Sequence, residues 1–142
     1  MPLPYLFDAV DQREGGYDIA MDMYLRTARM RAAKTPAARL TRSNFRHSFW
    51  TAAQIVTHQA SNGCNLQPGD LLGSGTISGP TPDSLGSMLE LAQSGKAPIA
   101  LPGGETRTFI EDGDEVILRG RCERAGRAAI GFGEAAGLLK PA

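Results

Sequence analysis

The sequence has few cysteines, and none of them stands in a metal-binding pattern. Its two thiols, Cys64 and Cys122, lie far apart in the chain and form no C-x-x-C pair. Zinc sites combine closely spaced cysteine or histidine ligands, so this spacing excludes a cysteine-based zinc site. We predict two free thiols, which is typical of a protein in a reducing compartment.

An excess of charge of one sign is also lacking, as are long apolar runs. Lysine plus arginine and aspartate plus glutamate each total 15, so no net field attracts nucleic acid. No apolar stretch approaches the roughly 20 residues that span a bilayer, and the start, MPLPYLFDAV, lacks a signal-peptide pattern. We expect a soluble cytoplasmic protein without nucleic-acid or membrane partners. Arginines are concentrated in residues 26–46, where a solvated connection is expected and phosphate binding is the alternative.

What is abundant is glycine, with 17 residues in a chain of 142. Glycine at this density indicates turns and close backbone contacts between short strands. Apolar and polar residues alternate over residues 17–25, which predicts a strand with Asp18, Asp22 and Arg26 on a solvent face. Further strands are predicted for residues 70–78, 106–111, 114–124 and 128–139. The expected fold is a β-rich mixed α+β roll or sandwich with one or two helices.

Helical spacing is clearest over residues 43–63. Ser43 or Asn44 can cap the start of this helix, and Gly63 can end it. Trp50 and the phenylalanines of the helix are expected to lie in the core. The predicted apolar face contains Phe45, Phe49, Ala52, Ile55 and Val56.

A glycine-rich motif, GSGTISG at residues 73–79, includes the second half of the strand predicted for residues 70–78. Its spacing, G-x-G-x-x-x-G, recurs in GFGEAAG and differs from the dinucleotide fingerprint G-x-G-x-x-G, so we exclude nucleotide binding. Two interpretations stay open for the first motif. The glycines serve tight strand packing, or they bring the backbone close to a ligand with the hydroxyl of Thr76 or Ser78 in a cavity.

A single carboxylate follows in the run GSMLEL, on a short helix that Asp83 or Ser84 can cap and that ends near Gly95. This residue, Glu90, has apolar neighbours on both sides. Either it faces water, or it is a partly buried acid that orients and charges a histidine, a recurrent way to activate water.

The other candidate groups favour structural roles. His47 and His58 both fall on the predicted long helix, about three turns apart, which is too far to share one metal ion. The acidic run EDGDE, residues 111–115, does not have the spacing of a calcium loop. We therefore predict structural or surface histidines and an acidic turn.

Three blocks of the sequence resemble a known family. SNFRHSFWTAAQIVTHQASNGCNLQPGDLLGSGTISGP, GSMLEL and DGDEVILRG…IGFGEAAG closely resemble the C-terminal part of the catalytic domain in the fumarylacetoacetase family. The likeness covers nearly the whole chain, so residues 1–142 are expected to be a C-terminal segment of such a domain. The resemblance implies a β-sandwich roll and a homodimer. It also implies hydrolysis of a carbon–carbon bond in fumarylacetoacetate, giving fumarate and acetoacetate in tyrosine and phenylalanine breakdown.

The resemblance assigns two site residues. Glu90 matches the glutamate that orients the family's catalytic histidine, and Thr76 matches a threonine that contacts the substrate. The family's cation, calcium or magnesium, is held by acidic side chains that have no counterpart here. The catalytic histidine has none either, since His47 and His58 do not match it. We therefore expect a C-terminal fragment that is inactive alone, binds no catalytic metal and lacks an N-terminal half.

Two alternatives to this function stay open. One is a non-catalytic assembly module or remnant. The other is a related oxo-acid hydrolase, decarboxylase or isomerase of the same superfamily, against which the blocks GTISGP and GSMLEL argue.

Overall fold

A computed structural model of the protein describes residues 2–141. These residues form six strands: β1 Ala20–Arg26, β2 Ala38–Asn44, β3 Ile99–Ala100, β4 Thr106–Arg107, β5 Glu115–Cys122 and β6 Ile130–Leu138. They also form four α-helices: α1 Ala9–Glu14, α2 Ala28–Ala32, α3 Ala52–Ser61 and α4 Met88–Leu91. Single turns of 3-10 helix lie at Pro4–Leu6, Phe45–His47 and Pro82–Ser84. The mixed α+β class predicted from the sequence is therefore confirmed.

One four-stranded antiparallel sheet, in the order β2-β1-β5-β6, organises the described residues, and β3 and β4 form a separate hairpin. Directly paired residues share a face of the sheet. Met21 of β1 lies opposite both Ser43 of β2 and Gly120 of β5. Leu118 of β5 lies opposite Ala135 of β6. This face carries the apolar side chains of β1, and we call it the core face.

The core occupies one end of the core face. Leu25 of β1 packs there against Met88 of α4 and Leu101, which follows β3. Partly buried apolar side chains surround this cluster: Met23, Ala38, Leu40, Ile99 and Val116. Burying side chains of this kind stabilises the fold by about 1.5–3 kcal/mol each. The packing of Met88 fixes α4, and with it Glu90, against the sheet.

One position of the face that the alternation predicted to meet solvent is buried. Asp22 is only 7% exposed, so that part of the prediction is wrong. Arg42 stands directly opposite it on β2 and donates two hydrogen bonds to its carboxylate, from Nε at 2.6 Å and from Nη2 at 2.9 Å. The hydrogen bond to Asp22 is the main cause that raises the pKa of Arg42. The Asp22 carboxylate is therefore paired with the Arg42 guanidinium, where contact with water was expected.

The long helix begins later than predicted. Residues expected at its start form β2 and a 3-10 turn, and α3 begins only at Ala52. Its cap is Thr51, which forms a capping box with Gln54, instead of Ser43 or Asn44. The predicted end is confirmed, because Asn62 is the C-cap and Gly63 has a φ of 87°.

The aromatic residues before α3 are not core anchors. Phe49 is 75% exposed and Trp50 is 38% exposed, and their rings meet edge to face at 4.8 Å. Because the chain is not helical at these two positions, the predicted apolar face of the helix does not include them. Gln54 is the buried residue of α3, where its Nε2 donates to the carbonyl of Leu6 at 3.0 Å.

Two further segments differ from the prediction. The connection expected over residues 26–40 contains α2 and the first part of β2. Residues 70–78 were predicted as a strand, but the structure shows no regular secondary structure there. Gly75 has a φ of 76°, a left-handed conformation that a strand does not allow. This extended glycine-rich segment is what carries Thr76 and Ser78.

The predicted acidic turn is confirmed, with one difference. The amide of Asp114 donates to the carbonyl of Glu111 at 3.0 Å, and Gly113 has a φ of 86°. Asp114 itself is fully buried and accepts hydrogen bonds from Arg107 at 2.9 and 3.1 Å. That hydrogen bond is the main cause that raises the pKa of Arg107. The turn therefore contributes a buried ion pair as well as solvated carboxylates.

Other predictions can be compared directly. Cys64 and Cys122 are both free thiols, as predicted. In the part of the chain that the structure covers, no helix combines the length and the apolar character needed to cross a membrane.

Candidate active site

Glu90 lies in the first turn of α4, where the local sequence holds its side chain. Ser87 caps this helix, and its Oγ accepts a hydrogen bond from the amide of Glu90 at 3.3 Å. The same Oγ lies 3.0 Å from Oε2 of Glu90 and donates to it. Because Ser87 contacts both the backbone and the side chain of Glu90, the carboxylate is turned back over the start of the helix.

A second serine reaches the carboxylate from the glycine-rich segment. Ser78 Oγ lies 2.9 Å from Oε1 and 2.8 Å from Oε2 of Glu90. It also accepts a hydrogen bond from the amide of Gly86 at 3.0 Å. The segment before α4 and the segment after Gly75 are therefore joined through one hydroxyl.

These contacts favour the ionised form of Glu90. The hydrogen bond from Ser78 is the largest cause that lowers the pKa of Glu90, and contacts from Ser87 and the backbone of Gly86 add to it. Desolvation by neighbouring groups opposes this lowering of the pKa but does not cancel it. Glu90 is exposed to solvent, so the carboxylate is charged, oriented and accessible to a further donor.

Thr76 lies in a cleft over the open end of the core face. The cleft has a volume of about 460 Å³. Its floor is formed by strand residues of the core face, and its rim by the glycine-rich segment and Gly86. The lining residues are Ile19, Met21, Asp22, Met23, Thr41, Ser43, Ser74, Gly75, Thr76, Ile77, Gly86, Leu118, Arg119, Gly120, Phe132, Gly133 and Ala135.

Gly86 connects the two predicted site residues. A Cβ added to Gly86 would lie 2.7 Å from Cγ2 of Thr76 and 2.5 Å from the carbonyl oxygen of Ile77. The amide of the same glycine donates to Ser78, which holds Glu90. Gly86 therefore contacts Thr76 directly and is linked to Glu90 through the hydroxyl of Ser78. Of the two hydroxyls considered for a cavity, Thr76 lines the cleft, while Ser78 bonds to Glu90.

The two histidines lie on different elements, and neither is hydrogen-bonded to this carboxylate. His47 is in a 3-10 turn and His58 is on α3, so the prediction of one helix carrying both is wrong. Nδ1 of His58 is 2.7 Å from the hydroxyl of Tyr5, with the two rings stacked. Within residues 2–141, the side-chain partners of the Glu90 carboxylate are Ser78 and Ser87, and neither histidine is among them.

Acidic residues do not gather into a cation site in the described range. No group of three or more histidine, cysteine, aspartate or glutamate side chains in residues 2–141 is arranged to hold a metal ion. The fully buried carboxylate of the acidic turn, Asp114, accepts hydrogen bonds from Arg107. The residues described here therefore do not fit the calcium or magnesium ion that the family resemblance implies.

Sequence reasoning missed two residues of this arrangement. Ser87 could have been found, because Ser87-x-x-Glu90 has the spacing of a capping box. Gly86 carries no such local signal, since its importance comes from its contact with Thr76 and Ile77. Ser78 was considered for a cavity, but its bond to a residue twelve positions later has no sequence signature.

Known proteins are similar to this chain over nearly its whole length. A family model described as the C-terminal domain of fumarylacetoacetate (FAA) hydrolase matches residues 12–136. The chain is 48% identical over 141 residues to fumarylacetoacetase of Homo sapiens, covering 99% of this chain and 32% of that protein. It is 44% identical over 140 residues to fumarylacetoacetase of Arabidopsis thaliana, covering 99% of this chain and 31% of that protein.

A third relative matches over a shorter region. The fumarylacetoacetase of Caenorhabditis elegans is 52% identical over 101 residues, covering 71% of this chain and 24% of that protein. The chain thus spans about a third or less of the length of these curated relatives.

Proposed function

Because the chain belongs to the fumarylacetoacetate hydrolase family, we propose that it is a C-terminal part of a fumarylacetoacetase-type hydrolase. The reaction is hydrolysis of a carbon–carbon bond in fumarylacetoacetate to fumarate and acetoacetate, a step in tyrosine and phenylalanine breakdown. Identity to curated fumarylacetoacetases over 99% of the chain supports this assignment. The reaction requires water to be activated as a nucleophile at a carbonyl carbon.

The observation that carries the proposal is that hydrogen bonds fix the carboxylate of Glu90 in place. Two serine hydroxyls donate to it at 2.8–3.0 Å, and its pKa lies below the ordinary value. An ionised carboxylate of this kind can accept an N–H from a histidine, fix its tautomer and stabilise its protonated form. The histidine can then take a proton from water, which supplies the hydroxide that attacks the substrate.

The histidine in this proposal comes from outside the 142 residues, either from another part of the same protein or from a second chain. His47 and His58 are not partners of Glu90 in the described structure. Glu90 is exposed, so an approaching imidazole can reach it without displacing a packed side chain. An acid without its base does not activate water, and we therefore expect the 142-residue chain to be inactive alone.

Thr76 supplies the substrate contact in the proposal. It stands on the rim of the 460 Å³ cleft, whose floor includes Met21, Leu118 and Phe132. A hydroxyl above an apolar floor can donate to a carboxylate or carbonyl oxygen of the substrate, while the floor contacts its carbon chain. The methyl group of Thr76 faces Gly86, whose amide donates to Ser78, and Ser78 in turn donates to Glu90.

The divalent cation, the homodimer and the cytoplasmic location expected from the sequence stay predictions. Calcium or magnesium would supply Lewis-acid stabilisation of charge in the complete enzyme. Residues 2–141 do not fit that ion, so the contribution of this chain is the carboxylate of Glu90 and the hydroxyl of Thr76.

The test compares the purified 142-residue chain with a longer protein that includes it and also carries the histidine and the acidic metal ligands. Turnover is followed by the disappearance of fumarylacetoacetate with calcium or magnesium present. We expect no turnover from the chain alone and turnover from the longer protein. Metal-dependent turnover by the chain alone would overturn the proposal that its active site is incomplete.

Variants of the longer protein test the role of Glu90. A general base contributes about 10²–10⁴ in rate, and the acid that orients the base supports this contribution, so Glu90→Gln should lower kcat by up to about that factor. Glu123→Gln is the matched control, because Glu123 is an exposed carboxylate paired with Arg121 away from the cleft. An active longer protein with equal kcat for wild type and Glu90→Gln would contradict the assignment. A well-folded longer protein without any turnover would favour the non-catalytic alternative.

A further inference from the structure

The hydroxyl of Ser78 can make its bond to Glu90 in only one way. A serine hydroxyl has one proton to donate and lone pairs to accept with. The amide of Gly86 donates to Ser78 Oγ at 3.0 Å, which leaves the single proton of Ser78 free for the carboxylate. The two oxygens of Glu90 lie at nearly equal distances, 2.9 and 2.8 Å. The proton is therefore shared between them, which fixes the orientation of the carboxylate plane.

The bond of Ser78 also connects Glu90 to the sheet. The residue before Ser78 is Ile77, whose carbonyl accepts a hydrogen bond from Ser43 Oγ of β2 at 2.6 Å. Ser43 is only 5% exposed, so this contact anchors the glycine-rich segment to a buried strand position. An exposed glutamate on a four-residue helix would otherwise sample several rotamers. Two hydrogen bonds instead connect the carboxylate to β2: one from Ser43 to the carbonyl of Ile77, and one from Ser78 to Glu90.

Ser87 cannot do the same. It lies three residues before Glu90 and caps the same helix, so its bond holds Glu90 to α4 and not to the glycine-rich segment. Its hydrogen bond reaches only Oε2, at 3.0 Å. Ser87 therefore holds the rotamer of Glu90 within α4, while Ser78 sets the position of the carboxylate relative to the cleft.

We propose that Ser78 is a positioning residue for Glu90: its hydroxyl, held by the amide of Gly86, orients the carboxylate for the incoming histidine. The mechanistic part of this inference rests on the proposed role of Glu90. The structural part does not, because the hydrogen bonds are present in the 142-residue chain. The two parts are measured separately.

The first measurement is the pKa of the Glu90 side chain in the 142-residue chain. The side-chain carboxyl carbons of glutamate are labelled with ¹³C and titrated by NMR, and Glu90→Gln identifies the resonance. The wild-type pKa should lie below that of an ordinary glutamate. Ser78→Ala should raise it, Ser87→Ala should raise it by less, and Ser78→Thr should keep it near the wild-type value, because only the first removes the bridging donor.

The inference is overturned if Ser78→Ala leaves the Glu90 pKa unchanged, or if Ser87→Ala raises it by more than Ser78→Ala does. Should Ser78→Ala fail to fold, Ser78→Cys provides the same test, since a thiol is a weak donor. Its Glu90 pKa should then lie above the wild-type value, and an unchanged pKa would count against the inference.

The second measurement is steady-state kinetics in the longer, active protein. Misplacing a catalytic group by about 1 Å can cost about 10²-fold in rate, so Ser78→Ala should lower kcat by about tenfold or more with KM nearly unchanged. Ser78→Thr should restore most of kcat. If Ser78→Ala shifts the Glu90 pKa while kcat stays at the wild-type value, the mechanistic part is wrong. If the longer protein has no activity but the pKa shifts occur, the positioning stands and the proposed function fails.

Discussion

The substitution Gly86→Ala places a methyl group where the two segments of the candidate site meet. The added Cβ would lie 2.5 Å from the carbonyl oxygen of Ile77 and 2.7 Å from Cγ2 of Thr76, whereas ordinary van der Waals contact begins at 3.4 Å. The backbones must therefore separate by about 1 Å, since a packed interior does not absorb such an overlap without moving. Gly86 does not have a left-handed φ, so the cost is steric and not conformational.

The magnitude follows from what opposes this separation. The carbonyl of Ile77 accepts the hydrogen bond from Ser43 at 2.6 Å, and the amide of Gly86 donates to Ser78 at 3.0 Å. Overpacking of this kind costs about 1–3 kcal/mol, and losing one hydrogen bond costs about 1 kcal/mol more. We expect Gly86→Ala to lower the free energy of unfolding by about 2–4 kcal/mol.

The assay is urea denaturation of the 142-residue chain followed by circular dichroism. Gly73→Ala is the matched control, because Gly73 lies in the same glycine-rich segment, has no left-handed φ and would place its Cβ in open space. The control should be neutral or stabilise the protein by about 0.5 kcal/mol, by restricting the unfolded chain. Equal unfolding free energies for Gly86→Ala and Gly73→Ala would refute the close approach of Gly86 to Ile77.

Two further predictions concern charge. Asp114→Ala should lower the free energy of unfolding by about 3 kcal/mol, because it removes the buried partner of Arg107. The control is Asp112→Ala, since Asp112 is an exposed neighbour. If Asp114→Ala destabilises the protein no more than Asp112→Ala does, the buried ion pair is contradicted. The pKa of Glu90 is lowered in the folded state, so its ionised form stabilises the fold above the ordinary glutamate pKa, and this is lost as the pH falls through the folded value. The stability advantage of wild type over Glu90→Gln, measured by urea titrations, should therefore shrink as the pH falls below the ordinary glutamate pKa and through the lowered pKa of Glu90, whereas a constant difference would contradict it.

The strands that sequence reasoning located are those whose signals are local. β1, β5 and β6 lie within the predicted ranges 17–25, 114–124 and 128–139 to within a residue. Turns next to β5 have glycines with positive φ, Gly113 and Gly126. Alternation and glycine turns can both be read from neighbouring residues, so neither needs knowledge of the tertiary structure.

β2 was not predicted because its buried residues are polar and its alternation is interrupted. Thr41 and Ser43 are buried, but their side chains are polar and therefore add nothing to an apolar pattern in the sequence. The pairing with β1 shifts between Met23 and Tyr24, so that Leu40 has no direct partner. A bulge of this kind breaks the period of two. The helix was placed too early because Phe45 and Phe49, which follow β2, have helical spacing with the apolar residues of α3.

The candidate site was predictable only in its two family positions. Glu90 and Thr76 were identified by resemblance, and between them lie only the 3-10 turn Pro82–Ser84 and the start of α4, which are too short to fix their distance. Their proximity depends on Gly86 fitting against Ile77, a contact between segments nine residues apart. Such a contact is set by the tertiary fold and has no periodic signal.

The hydrogen bonds of Glu90 also restrict how a histidine can approach it. Each carboxylate oxygen can accept about two hydrogen bonds. Among the side-chain donors, Ser87 donates to Oε2 alone at 3.0 Å, and Ser78 shares its one proton between Oε1 at 2.9 Å and Oε2 at 2.8 Å. Oε1 therefore carries fewer side-chain hydrogen bonds than Oε2, and the N–H of the histidine should bind there. Because both serines already hold the carboxylate, little of its conformational freedom is left to lose when the histidine arrives, which favours a pre-organised dyad.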